Sequence, residues 1–91
     1  MEKINTDNKI ISFNEIEKKL AKLKKKNKLI VHCHGVFDLL HPGHLMHFKS
    51  AKKFGDILIV SVTSDKFVNK GFNRPYFDIN TRIKMISEMS I

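Results

Sequence analysis

The sequence predicts an α/β chain built on a parallel βαβ unit. Two short apolar, β-branched runs, Leu29–Val31 and Ile57–Val62, flank a helical pattern opened by Pro42 and Gly43. Further helical patterns precede and follow this unit. Two consecutive strands joined through a helix run parallel, with a right-handed crossover. Parallel sheets are covered on both faces and generally carry more than two strands. The reading is therefore the first half of a Rossmann-like domain: a βαβ core with an incomplete sheet, preceded by an amphipathic basic helix.

Each element has its own signal. Residues 1–11 show no period and read as a lead-in or linker, and residues 12–91 carry the domain. Within it, 12–27 is a surface helix and 28–91 the βαβα core. Ser12 offers an N-cap, with Glu15 three residues on as a capping box requires. Ile16, Leu20 and Leu23 then form one apolar stripe among lysines, and the helix ends near Asn27. Lys28–His34 is a short buried strand that Gly35 stops. The helix from Pro42 places Leu45, Phe48 and Ala51 at three-residue spacing, with Gly55 expected as its C′ residue. Ile57–Val62 is the second strand. A polar, turn-prone stretch runs from Thr63 to Pro75. Asp78 or Asn80 then caps a last helix bearing Ile79, Ile83 and Ile86 on one side.

Charge is the lopsided number. Seventeen basic residues face nine acidic ones in 91 residues, a net +8. Such an excess suits an anionic partner. Seven of the seventeen (Lys18, Lys19, Lys22, Lys24, Lys25, Lys26 and Lys28) sit in the first helix and its turn, so the excess is mostly local. Charge runs are usually solvated faces, and no aromatic interleaves these lysines for base stacking. Nucleic acid is thus a secondary reading. No apolar run approaches the roughly 18 residues of a membrane span, and no secretory signal is visible. The lone Cys33 cannot form an intrachain disulfide, and a reducing, cytoplasmic setting is expected.

The chemistry gathers in Gly35-Val36-Phe37-Asp38-Leu39-Leu40-His41-Pro42-Gly43-His44. This segment follows the first strand, and ligands of open α/β sheets collect outside the carboxyl ends of strands. Pro42 suits a first helical turn. Gly43 would let a phosphate approach the backbone, and the free N–H groups and helix dipole favour an anion there. His41 and His44, three apart, can point to the same side of that terminus. Five histidines and one cysteine also raise a metal reading, but they match none of the usual zinc spacings, and no protein-held metal is expected.

These residues resemble the strand-loop-helix signature of the cytidylyltransferase-like nucleotidyltransferase superfamily, whose hallmark is His-x-Gly-His. The likeness runs from about Ile30 to Met85. It takes in Phe54-Gly55-Asp56, Thr63-Ser64-Asp65-Lys66-Phe67-Val68, and Asn69-Lys70-Gly71-Phe72-Asn73-Arg74-Pro75 before Arg82. The sequence is similar to bacterial sugar- and polyol-phosphate cytidylyltransferases and to heptose adenylyltransferases. Relatives often carry Lys-Gly-Pro-Gly-Arg-Pro in the middle loop, where this chain has Phe72 and Asn73 instead. The family also has further strands and a late Ser/Thr-rich motif, so this chain looks like the N-terminal part of the domain and is expected to turn over little alone.

The resemblance implies a HUP-type fold and transfer of CMP or AMP from a nucleoside triphosphate to a phosphorylated polyol or sugar, releasing pyrophosphate. A nucleotide- or nucleic-acid-binding module without catalysis is the alternative. His41 and His44 are implied as catalytic. Gly35, Val36, Phe37, Asp38, Gly43, Lys70, Arg74 and Arg82 are implied at the nucleotide phosphates, with Mg²⁺ arriving on the nucleotide. Asp38 could instead be a turn residue or orient the loop, and His41 and His44 could be a plain capping pair. Asp65 reads as a turn residue, His34 as a pocket residue, and His32 and Cys33 as packing. Open strand edges seek partners, so a homo-oligomer is expected. A downstream kinase or the remaining transferase half would complete the full-length protein, and no membrane contact is expected.

Overall fold

The computed structural model describes residues 9–68, 71 and 74–89. Helix α1 spans Phe13–Lys25, strand β1 Ile30–Gly35, helix α2 Pro42–Lys52, strand β2 Ile57–Val62 and helix α3 Ile79–Ser87, with a 3-10 turn at Asp65–Phe67. The strands pair in parallel, Ile30 beside Ile57 through Gly35 beside Val62. This is the expected α-β-α-β-α order, and the 3-10 turn was not foreseen in the polar stretch.

Three local expectations are corrected. Ser12 is the N-cap of α1, but its side chain makes no capping bond and the box with Glu15 does not form. Gly55 is not the left-handed C′ residue of α2, because the helix ends at Lys52 with Lys53 as C-cap. Gly55 is small for another reason: a Cβ there would stand 2.7 Å from Val31 Cγ2 and 2.8 Å from the Leu29 carbonyl. His32 is an exposed residue on the sheet surface, not a packed one.

Helix α1 closes instead through Asn27, whose φ of 55° takes the left-handed cap position. Lys28 N–H reaches the Leu23 carbonyl at 3.1 Å and Asn27 N–H that of Lys24 at 3.0 Å, a Schellman arrangement. Asp56 then fixes the start of the sheet, accepting from Leu29 N–H at 2.8 Å. The core is small. Phe48 of α2, 1% exposed, is the buried hydrophobic residue among those described, while every residue of β2 is half-buried. α2 lies on the Cys33 side of β1, where Cys33 Sγ is 3.9 Å from His47 Nε2. The alternation of β1 sends His32 and His34 to the opposite face.

Candidate anion site at the start of the second helix

β1 ends at Gly35 and delivers the chain into residues 36–41, which turn back into α2. Phe37 makes that turn with φ at 51°, a conformation costing an ordinary side chain about 1–2 kcal/mol. Its ring packs edge-on against Phe48 at 5.1 Å and stands edge to His44 at 5.8 Å. It also occupies the space beside Gly35, where an added Cβ would lie 2.7 Å from Phe37 Cζ.

The first turn of α2 is capped by its own histidines. His41 is the N-cap, and its Nδ1 accepts from Gly43 N–H at 3.0 Å. His44 Nδ1 accepts in return from His41 N–H at 3.2 Å. This is the reciprocal geometry of a capping box, with two imidazoles in place of a hydroxyl and a carboxylate. The ring centroids are 4.2 Å apart. A neutral imidazole that accepts at Nδ1 carries its proton on Nε2. Both rings therefore become Nε2–H donors at a helix start whose backbone dipole already favours negative charge. The capping geometry is compatible with an anion at the same helix start. Gly43 acquires a different reason from the expected one: a Cβ there would stand 2.6 Å from His41 Cε1, so the open space belongs to the His41 ring.

Asp38 is 3% exposed. One oxygen accepts from Tyr76 N–H at 2.6 Å and Arg74 Nε–H at 2.9 Å, and the other accepts from Phe77 N–H at 2.8 Å. Burial pushes its carboxyl up, but these donors and the Arg74 charge outweigh it and hold the pKa below the usual Asp value. Its oxygens thus fasten residues 74–77 to the signature loop. Arg74, held through Nε, lays its guanidinium over the Tyr76 ring at 4.6 Å. Asp78 caps α3, accepting from Thr81 N–H at 2.8 Å, and that bond holds its carboxyl low.

Arg82 is fully buried. Nε donates to the Phe77 carbonyl at 3.0 Å, and Nη1 donates to the Val36 and Thr63 carbonyls at 2.9 and 2.7 Å. Nη2 pairs with the Asp65 carboxylate. Gly35, Val36, Phe37, Asp38, His41, Gly43, His44, Arg74 and Arg82 are thus gathered around one loop, directly or through Asp38. Lys70 lies outside the described residues.

Sequence reasoning missed Asp65 as the partner of Arg82, and the Tyr76 and Phe77 amides as partners of Asp38. It also missed a ladder across the open sheet face. Ser61 Oγ lies 2.7 Å from His32 Nε2 and 2.6 Å from His34 Nδ1, and His34 Nε2 lies 3.3 Å from Thr63 Oγ1. Thr63 donates to the Gly35 carbonyl. With His34 neutral, it therefore accepts from His34 Nε2–H, and Ser61 gives its proton to His34 Nδ1. The His-x-His spacing put both rings on one face, but only the strand register sets Ser61 opposite His34.

A parallel βαβ unit whose first strand feeds a helix start at the strand ends is a Rossmann-like α/β fragment. A cytidylyltransferase-like family model matches residues 32–90, and the chain belongs to that family. It is 40% identical over 88 residues to the bifunctional protein HldE of Pasteurella multocida, which covers 94% of this chain and 18% of that protein. It is 36% identical over 91 residues to the bifunctional protein HldE of Aliarcobacter butzleri, covering 98% of this chain and 19% of that protein. The chain therefore spans less than a fifth of the length of these curated relatives. No helix among the described residues is long and apolar enough to cross a membrane.

Proposed function

We propose that this chain forms the nucleotide-phosphate end of a nucleotidyltransferase. It would transfer AMP or CMP from the triphosphate to a phosphorylated sugar or polyol. The observation that carries this reading is the pair of Nε2–H donors fixed by reciprocal capping at the start of α2. Two neutral donors and a helix dipole suit a polyanion that gains charge as it leaves.

An oxygen of the acceptor's phosphate attacks the α-phosphorus of the nucleotide in line. The bond from that phosphorus to the bridging oxygen breaks, and pyrophosphate leaves with the electron pair toward His41, His44 and the α2 terminus. No side chain forms a covalent intermediate. The work is positioning and charge stabilisation. Mg²⁺ would ride on the triphosphate. The Asp38 oxygens are engaged by Tyr76, Phe77 and Arg74, Asp65 is engaged by Arg82, and no trio of His, Cys, Asp or Glu side chains gathers among the described residues. On this reading phosphate oxygens and water would hold the ion.

The test is pyrophosphate release by the complete protein, with ATP and with CTP, over a panel of sugar and polyol phosphates. One nucleotide is expected to react. His44→Ala is expected to lower kcat by about 10²–10³ with a small change in nucleotide KM, the mark of a donor used mainly in the transition state. Release from neither nucleotide with any acceptor would overturn the reading.

A further inference from the structure

We propose that Arg82 is a positioning residue, which sets the His44 donor by fixing the signature loop and does not itself grip the nucleotide. The proposal rests on the phosphate-site reading above and names how that site is held. A guanidinium has five N–H donors. In Arg82, four are committed to protein acceptors on three separate segments: the Val36 carbonyl in the signature loop, the Thr63 carbonyl and Asp65 carboxylate after β2, and the Phe77 carbonyl before α3. Its side chain is wholly buried. A phosphate drawing on this group would have to break bonds that join the ends of both strands.

The position of those bonds gives the inference its direction. Val36 and Asp38 flank Phe37, the one residue of the loop in the left-handed region. Arg82 holds the carbonyl on one side of it. On the other side the Tyr76 and Phe77 amides, with Arg74, hold the Asp38 carboxylate. Phe37 is thereby kept in an unfavourable backbone conformation that puts its ring between Phe48 and His44. The path from Arg82 to the reacting end is short: Val36 carbonyl, Phe37 backbone, Phe37 ring, His44 ring. A lysine at position 82 keeps one charge but has no planar fork to span three segments.

The decisive readout needs no substrate. In the ligand-free complete protein, long-range proton–nitrogen spectra of the histidine rings report which nitrogen carries the proton. The native His44 pattern is an accepting Nδ1 and a protonated Nε2. Arg82→Lys is expected to disperse that pattern and to weaken binding of inorganic pyrophosphate by on the order of tenfold. The amide signals of Cys33 and Val60 should meanwhile stay native. Asp65→Asn removes one anchor without removing the cation, and it should shift His44 the same way with smaller amplitude. A native His44 pattern in Arg82→Lys, with pyrophosphate binding weakened or not, would overturn the proposal; the weakened case would make Arg82 a direct ligand. If His44 responds as expected while neither ATP nor CTP is consumed, the positioning role stands and the transferase reading falls.

Discussion

The starts of α1 and α2 invert what their sequences advertise. α1 opens with Ser12 and Glu15 at capping-box spacing, yet no side-chain cap forms, no residue of the helix is buried, and Phe13 is 93% exposed. α2 opens with His41 and His44, whose capping is only the alternative reading of the sequence, yet it forms the reciprocal box and carries the buried Phe48. The difference is tertiary. Around α2 the chain is tied from outside by Asp38, Arg82 and the Phe37 ring, which hold the entering backbone where the imidazoles can reach it. Among the described residues before Ser12, the side-chain tie is Lys9 Nζ donating to the Met89 carbonyl at 2.9 Å, which does not touch the cap itself. A local motif supplies an option, and neighbouring segments decide whether it is taken.

The sharpest test of that contrast compares two truncations. Phe48→Ala should cost about 3–5 kcal/mol, as for other buried aromatics, and is expected to leave the chain largely unfolded in thermal melts. Leu20→Ala, on the half-exposed stripe of α1, should cost under about 2 kcal/mol. Equal losses would mean that α1 packs as firmly as α2.

Gly43→Ala probes the box itself. The new methyl collides with the His41 ring and should expel it from the cap, costing about 1–3 kcal/mol through overpacking. Alanine's better helix propensity, about 1 kcal/mol, offsets part of this. The His41 ring should lose its accepting Nδ1 signature, and its retention would show that the ring and the methyl coexist.

Acid should loosen the site end through its carboxylates. Asp38 and Asp78 both titrate below the usual Asp value in the fold. Their contribution is therefore complete above the unfolded value of about 3.9 and is lost as pH falls through the lower folded values. Amide exchange at Tyr76, Phe77 and Thr81 should accelerate over that interval. Protection unchanged down to pH 2 would mean that the carboxylates do not hold these amides.

Ser12→Ala is the smallest expected effect. Capping side chains typically contribute ~0.5–2 kcal/mol when they bond. This one does not, so the change should fall within about 0.5 kcal/mol, read as an unmoved Tm.

The regular elements were legible because their signals are local. β-branched runs, the Pro-Gly helix start and the isoleucine spacing of α3 each act within a few residues, and β2 falls at its expected bounds. The gathering of Pro42, Gly43 and the two imidazoles at one helix start was also legible, since they lie within one turn. What holds the loop leading into it was not. Asp38 meets Arg74, Tyr76 and Phe77 across more than 35 residues, and Arg82 reaches back to Val36 across 46. Such pairings depend on how the segment after β2 folds back, which composition and period do not encode. A buried arginine at a helix start opposes the dipole. That anomaly invited a phosphate partner in the sequence, where the structure supplies Asp65 and three carbonyls.

The histidine box also limits what chemistry these rings can perform. Each Nδ1 lone pair is committed to a backbone N–H, so neither ring can take up a second proton there without uncapping the helix. Imidazoles elsewhere serve as general bases because a lone pair stays open to the reacting group. Here the Nδ1 lone pair is committed to the backbone, and in the neutral ring Nε2 carries the hydrogen. His41 and His44 are thus fixed in polarity like a pair of main-chain amides, able to receive negative charge and unable to abstract a proton while the helix start is intact. On the proposed reading these two rings would not deprotonate the acceptor, which suits a phosphate oxygen better than a plain sugar hydroxyl.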